Sequence, residues 1–130
     1  MLILTIRTDK PIAEIGLYDG GEQMAYRKWQ AHRELSITIH QKIQELLKSQ
    51  NKDWKNITGI ICFKGPGSFT GLRIGLSVAN ALAYSLGIPI VSLGEKNWIE
   101  KGIQQLSSGK DEKIALPKYG APVHITRPKK

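Results

Sequence analysis

An apolar run, Ile57 to Phe63, leads directly into Gly65-Pro66-Gly67 and then into residues 71–86, where Arg73 is the only charge. A run this apolar reads as a strand covered on both faces, the signature of a central strand in an α/β sheet. The segment after the glycines reads as a helix that is apolar nearly all round, and such a helix calls for cover on both sides. Strand, tight turn and buried helix in succession set the class as α/β.

The rest of the chain fits around that unit. Leu2 to Ile6 is another nearly continuous apolar run, followed by turn chemistry at Thr8-Asp9-Lys10-Pro11. Residues 12–18 form a second strand. Asp19-Gly20-Gly21 marks a hairpin, because glycine reaches the positive φ such turns need, and residues 23–29 form a third strand. The period then changes. Leu35, Ile39, Ile43, Leu46 and Leu47 fall at helical spacing, with Gln41, Lys42, Gln44 and Lys48 off the stripe, which predicts a helix over 34–50. Residues 49–54 are a polar link. Gly87 is placed to close the second helix in a left-handed conformation. Residues 88–93 read as a short strand. Residues 95–106 read as a third helix, with Trp98, Ile99, Ile103 and Leu106 on one face. The order is β-β-β-α-β-α-β-α. An antiparallel meander followed by right-handed crossovers gives a mixed five-stranded sheet in the order 3-2-1-4-5 with three helices, the ribonuclease H-like half of an actin-like ATPase. The domain is expected to end near residue 108. Residues 109–130 are expected to be a polar linker and a basic, proline-containing tail, irregular or ordered only on a partner.

At 130 residues the chain is the size of one domain, too small for two lobes closing on a substrate. Nineteen Lys and Arg against eleven Asp and Glu give a net charge of +8, which favours acidic partners, nucleic acid included. Part of that charge is a tail effect of Lys118, Arg127, Lys129 and Lys130, better read as a solvated end than as a binding site. The single cysteine, Cys62, lies in an apolar run and reads as a small core residue in a reducing compartment. The first eight residues begin a strand rather than a basic leader, and no segment reaches the ~18 apolar residues of a membrane span, so a cytoplasmic protein is expected.

The glycine-rich turn invites a phosphate-cradle reading, since backbone N–H groups at such a turn can bind an anion. The spacing opposes the known cradles. Gly71 is followed by Leu72 and Arg73 where a P-loop needs Lys and Ser or Thr, and Gly67 and Gly71 are four apart where the dinucleotide motif needs three. Ser68 and Thr70 are candidate helix caps. Phe69 is a core plug or a partner anchor. Gly71, Gly75, Ala79 and Ala83 recur every four residues and form a ridge with almost no side chain, against which another helix can lie closely. Leu72, Leu76, Leu82 and Leu86 are then free to pack on the sheet. The helix covering the ridge is either the chain's own first helix or a partner's. Arg73 sits early in the helix, where the dipole disfavours a cation, and can hold an anion, meet a partner carboxylate or face solvent. His32, His40 and His124 form no His-Glu-x-x-His or comparable pair, which opposes a zinc hydrolase.

The run Gly-Pro-Gly-Ser-Phe-Thr-Gly-Leu-Arg-Ile-Gly, from Gly65 to Gly75, resembles the hallmark of the TsaB (YeaZ) family, which supports synthesis of threonylcarbamoyladenosine on tRNA. The apolar start, the Asp-Gly hairpin, the amphipathic helix and Gly87-Ile88-Pro89-Ile90-Val91-Ser92 fall in family order. The resemblance implies an actin-like fold without catalysis of its own: a scaffold or activator that binds the transferase TsaD, with the ATPase TsaE joining. It implies contact with tRNA only through the complex, no membrane, and self-pairing through the same helical face when alone. The implied interface is Gly71, Arg73, Gly75, Ala79 and Ala83, with Ile39 and Ile43 of the first helix. Gly65, Pro66, Gly67, Ser68, Phe69 and Thr70 would be a structural turn. The chain departs from the family in having Arg7 where an acid usually follows the first strand and Leu35 where a histidine is common, and the family's second domain is expected to be missing. Arg7 implies no intrinsic nucleotide cofactor, leaving ATP or ADP to a surface shared with partners. A glycoprotease-like metallopeptidase and a direct tRNA-binding module are the alternatives.

Overall fold

The computed structural model describes residues 1–31, 34–67, 69–94 and 96–118. Strands β1 (Leu2–Arg7), β2 (Ile12–Asp19) and β3 (Glu22–Gln30) precede helix α1 (Leu35–Ser49), a 3-10 turn at Trp54–Asn56, β4 (Ile57–Phe63), α2 (Phe69–Leu86), β5 (Ile90–Leu93) and α3 (Trp98–Ser107). The sheet runs β3-β2-β1-β4-β5, the expected order. β1 pairs antiparallel with β2 and β2 with β3, while β1–β4 and β4–β5 are parallel. The hairpin at Gly20 takes the positive φ that its sequence predicts.

The pleat divides the core into two layers. Leu4, Ile6, Ile15, Leu17, Ile60, Cys62 and Ile90 meet Ile39, Ile43 and Leu47 of α1 and Leu76, Ala79 and Ala83 of α2. On the other face Ile3, Ile61, Phe63 and Val91 meet Trp98 and Leu106 of α3. A Cβ on Gly102 would overlap the side chain of Ile61, so α3 lies close on β4. β5 begins at Ile90 rather than 88 because the preceding residues close α2. Gly87 adopts φ +67°, its N–H donates to Tyr84 O, and Ile88 N–H donates to Ala83 O, the pattern of a Schellman cap. The polar link before β4 holds one element with no periodic signal, the 3-10 turn, capped by Asp53 through Lys55 N–H.

Residues 111–118 are not a loose linker. They form a strap along the outer edge of β5, where acidic side chains take the place of a sixth strand. Asp111 Oδ1 accepts from Ile90 N–H at 3.1 Å, and Glu112 accepts from Ser92 N–H at 2.9 Å and from its hydroxyl at 2.7 Å. Asn80 of α2 clamps Ala115 in both directions, and Lys118 N–H donates to Lys64 O. An unpaired sheet edge is an aggregation hazard, and the strap covers this one. The remainder of the tail, 119–130, lies outside the described residues. Glu112→Ala strands the Ser92 N–H at a buried position. It should cost about 1–3 kcal/mol and raise hydrogen exchange at Ser92 by about tenfold or more. Unchanged protection there would show that the strap contributes nothing.

Candidate docking face and glycine-rich turn

Three segments converge on the glycine-rich turn. Gly65 takes φ +107°, and a Cβ there would run into the carbonyl of Lys118 on the strap. Gly67 lies against Asp9 so closely that its own Cβ would overlap the Asp9 Cβ, and the carbonyl of Gly65 leaves no room for a Cβ on Gly94. These glycines are therefore required by packing between the ends of β1, β5 and the strap. Pro66 and Thr70 are exposed. Ser68 and the side chain of Phe69 lie outside the described residues, so the Ser68 cap and the plug-or-anchor reading are not reached, whereas Thr70 lies inside α2, one residue past its start, and is not its cap.

The small-residue ridge faces inward, and this corrects the interface predicted from spacing. Gly75 is buried against Thr8 at the end of β1, whose hydroxyl occupies the space a Cβ would need and donates to Gly71 O at 2.7 Å. Ala79 and Ala83 are sealed in the core with Ile39 and Ile43, all four at most 4% exposed. The side-chain-poor flank lets α2 approach the sheet and α1 closely, so the cover is internal. Of the residues expected at the interface, Gly71 is half-buried and only Arg73 is exposed. Leu72 and Leu76 are core residues as expected, whereas Leu82 and Leu86 are only partly covered.

The outward face of the helical layer is a different stripe. Arg73, Ser77, Ala81 and Tyr84 of α2 are exposed, Tyr84 at 92%, while Ile74 and Val78 are half-buried beside them. Ile37, in the first turn of α1, is 74% exposed. Ser36, Thr70, Arg73, Ile74, Ser77 and Val78 line a notch of ≈ 370 Å³. The sequence carried a signal for this stripe, since the helix's only charge and only tyrosine fall on it.

At the carboxyl end of β1, Arg7 forms a two-bonded ion pair with Asp9, Nε to Oδ1 at 2.8 Å and an Nη to Oδ2 at 3.2 Å. The guanidinium stacks on the Phe63 ring at 4.0 Å from its centroid. The Asp9 hydrogen bond raises the Arg7 pKa against the opposing effect of burial. An acid at this position would suit a metal-bound nucleotide; here the carboxylate of Asp9 is already matched by a cation. Among the described residues no three His, Cys, Asp or Glu converge as a metal site. At this turn the Asp9 carboxylate is engaged by Arg7 rather than open to a magnesium ion. Burial pushes the Cys62 thiol well above its usual range, so it stays protonated. His40 packs beside Trp54, and His32 and His124 lie outside the described residues. None of the described helices is long and apolar enough to cross a membrane.

The family model described as TsaD, tRNA N6-adenosine threonylcarbamoyltransferase, matches residues 29–100, more than half of the chain. The chain is 26% identical over 120 residues to the tRNA threonylcarbamoyladenosine biosynthesis protein TsaB of Escherichia coli (strain K12), covering 88% of this chain and 52% of that protein. It is 33% identical over 90 residues to TsaB of Bacillus subtilis (strain 168), covering 69% and 39%. It is 37% identical over 98 residues to the tRNA N6-adenosine threonylcarbamoyltransferase of Geotalea daltonii, covering 73% and 28%. The chain thus spans about half or less of the length of these relatives. YeaZ from Pseudomonas aeruginosa superposes with a TM-score of 0.67 at 22% identity, over 72% of this chain and 44% of that one. RuvC of T. thermophilus, in complex with a Holliday junction substrate, superposes with a TM-score of 0.54 at 12% identity, over 95% and 85%. These superpositions bear on the fold alone and agree with the ribonuclease H-like sheet. By its glycine-rich turn, its sheet order and its match to the threonylcarbamoyladenosine proteins over most of its described length, the chain belongs to the TsaB (YeaZ) family.

Proposed function

We propose that the chain is a non-catalytic subunit of the cytoplasmic machinery that makes threonylcarbamoyladenosine on tRNA, and that it docks a TsaD-type transferase through the outer face of α1 and α2. The observation that carries the reading is the exposure of Ile37 and Tyr84 on the two helices that also line the Arg73 notch, in a helical layer whose inner side is already packed. The chain resembles both TsaB proteins and transferases of this pathway over overlapping parts of its length, 88% and 73% of it. A transferase built on that segment would present a matching helix pair, so the two would pack like against like. Arg73 would meet a carboxylate from the partner in the notch. When the transferase is absent, the same face would pair two copies of the chain. An ATPase of the TsaE type and any ATP or ADP would join at surfaces completed by the partner, and tRNA would be met through the complex. The matched charge of Arg7 and Asp9 supports a subunit without its own nucleotide chemistry.

Mixing the chain with the TsaD-type transferase of its own organism should give a co-eluting complex. Ile37→Glu with Tyr84→Glu touches only exposed positions, so the thermal midpoint should stay near wild type while affinity falls about tenfold or more. Undiminished pairing by that variant would remove the proposed face.

A further inference from the structure

The strap, residues 111–118, is held to the rest of the fold at three places. At the edge of β5, Asp111 and Glu112 accept from Ile90 N–H and Ser92 N–H, and Glu112 N–H donates to Ile90 O at 2.8 Å. On α2, Asn80 donates to Ala115 O at 3.0 Å and accepts from Ala115 N–H at 2.8 Å. At the glycine-rich turn, Lys118 N–H donates to Lys64 O at 2.6 Å, and the Lys118 carbonyl lies where a Cβ on Gly65 would fall. These holds are polar. Ala115 is the one strap side chain in the core, so hydrophobic burial contributes little more than a methyl group. Ile114 and Leu116, the large apolar side chains of the strap, stand in solvent at 65% and 69% exposure. Seating also carries strain. Lys113 takes φ +66°, and Ile114 N–H donates across it to Glu112 O at 2.7 Å, a three-residue turn of the strained hand. Asp111 Oδ1 accepts from both Lys113 N–H and Ile90 N–H, so one oxygen holds the strained turn and the sheet edge together. A segment with polar clamps, one buried methyl and stored strain opens at a lower free energy than a packed core.

We propose that the strap is a latch, which releases as one unit from β5, α2 and the glycine-rich turn while the sheet and its helices stay folded. Seated, it closes the sheet edge. It also ties α2 to the turn, since Asn80 lies on the flank that carries Arg73, Ser77 and Tyr84. Released, it frees the N–H groups of Ile90 and Ser92 and the carbonyl of Lys64. The latch is a property of the isolated chain and does not depend on the docking reading.

Native-state hydrogen exchange of the whole chain in dilute urea tests this. The amides of Ile90, Ser92, Ala115 and Lys118 should share one opening, about a hundredfold or more ahead of the β1 amides. That opening should be nearly independent of urea, because it exposes little surface. Asn80→Ala removes only the two bonds to Ala115, yet it should speed all four amides by a common factor of about ten. Lys113→Gly suits the positive φ and should slow all four together by about threefold. Exchange of the four with the rates and urea dependence of β1 overturns the proposal, as does an Asn80→Ala effect confined to Ala115. Should Asn80→Ala melt early, Lys113→Gly decides: a common change in the four amides supports the latch, and an unequal one overturns it.

Discussion

Gly75→Ala will destabilise the isolated chain by about 2–3 kcal/mol, and Gly75→Leu by more, before any partner is added. The new Cβ would occupy the space of the Thr8 hydroxyl, which itself is held by its bond to Gly71 O. The helix can accommodate a methyl only by rotating Thr8 or lifting α2 from β1, and either course breaks that hydrogen bond or opens the core around Leu76 and Ala79. A double-mutant cycle makes the cause specific. Thr8→Ala alone should cost about 1 kcal/mol for the lost bond. Combined with Gly75→Ala it should lose less than the sum of the two, because the clash has been removed. Urea denaturation of the four proteins reads the outcome, and strict additivity would show that Gly75 is not keyed to Thr8. A loss of partner binding in a Gly75 variant would therefore report a damaged fold, not a damaged interface.

Arg7→Ala should cost about 2 kcal/mol at neutral pH, and removing Asp9 as well should restore most of it. Asp9 has a side chain only 5% exposed, so taking away the guanidinium leaves a carboxylate in the interior without its counter-ion. The loss stays below the full penalty for a deeply buried pair because Arg7 is itself 24% exposed and solvent can partly take its place. Arg7→Ala with Asp9→Ala removes both charges and leaves a small apolar contact. Arg7→Lys should not match wild type, since an ammonium can neither grip both carboxylate oxygens nor stack flat on Phe63. A double variant as unstable as Arg7→Ala alone would show that the loss comes from the Phe63 stacking and not from the stranded charge.

Much of this protein is local in origin. The apolar runs of β1 and β4, the Asp-Gly hairpin, the period of α1 and the Gly87 cap were all legible, because each depends on residues within a few positions of one another. With those elements placed, the crossover rule left the order 3-2-1-4-5. The strap was not legible: Asp111 and Glu112 bind backbone groups some twenty residues away, and no periodicity marks a segment that borrows a sheet edge through its side chains. The contact of Lys118 with Lys64 escaped for the same reason, since the two meet only after the strap has returned to the glycine turn.

The sequence by itself determined that α2 has two contrasting flanks, one nearly free of side chains and one carrying Arg73 and Tyr84. Only the tertiary structure decided which of them faces water. A repeat along one helix specifies how close a neighbour can come, but not who the neighbour is. That choice was made by Thr8 and α1, which fill the small flank and leave the larger residues outside.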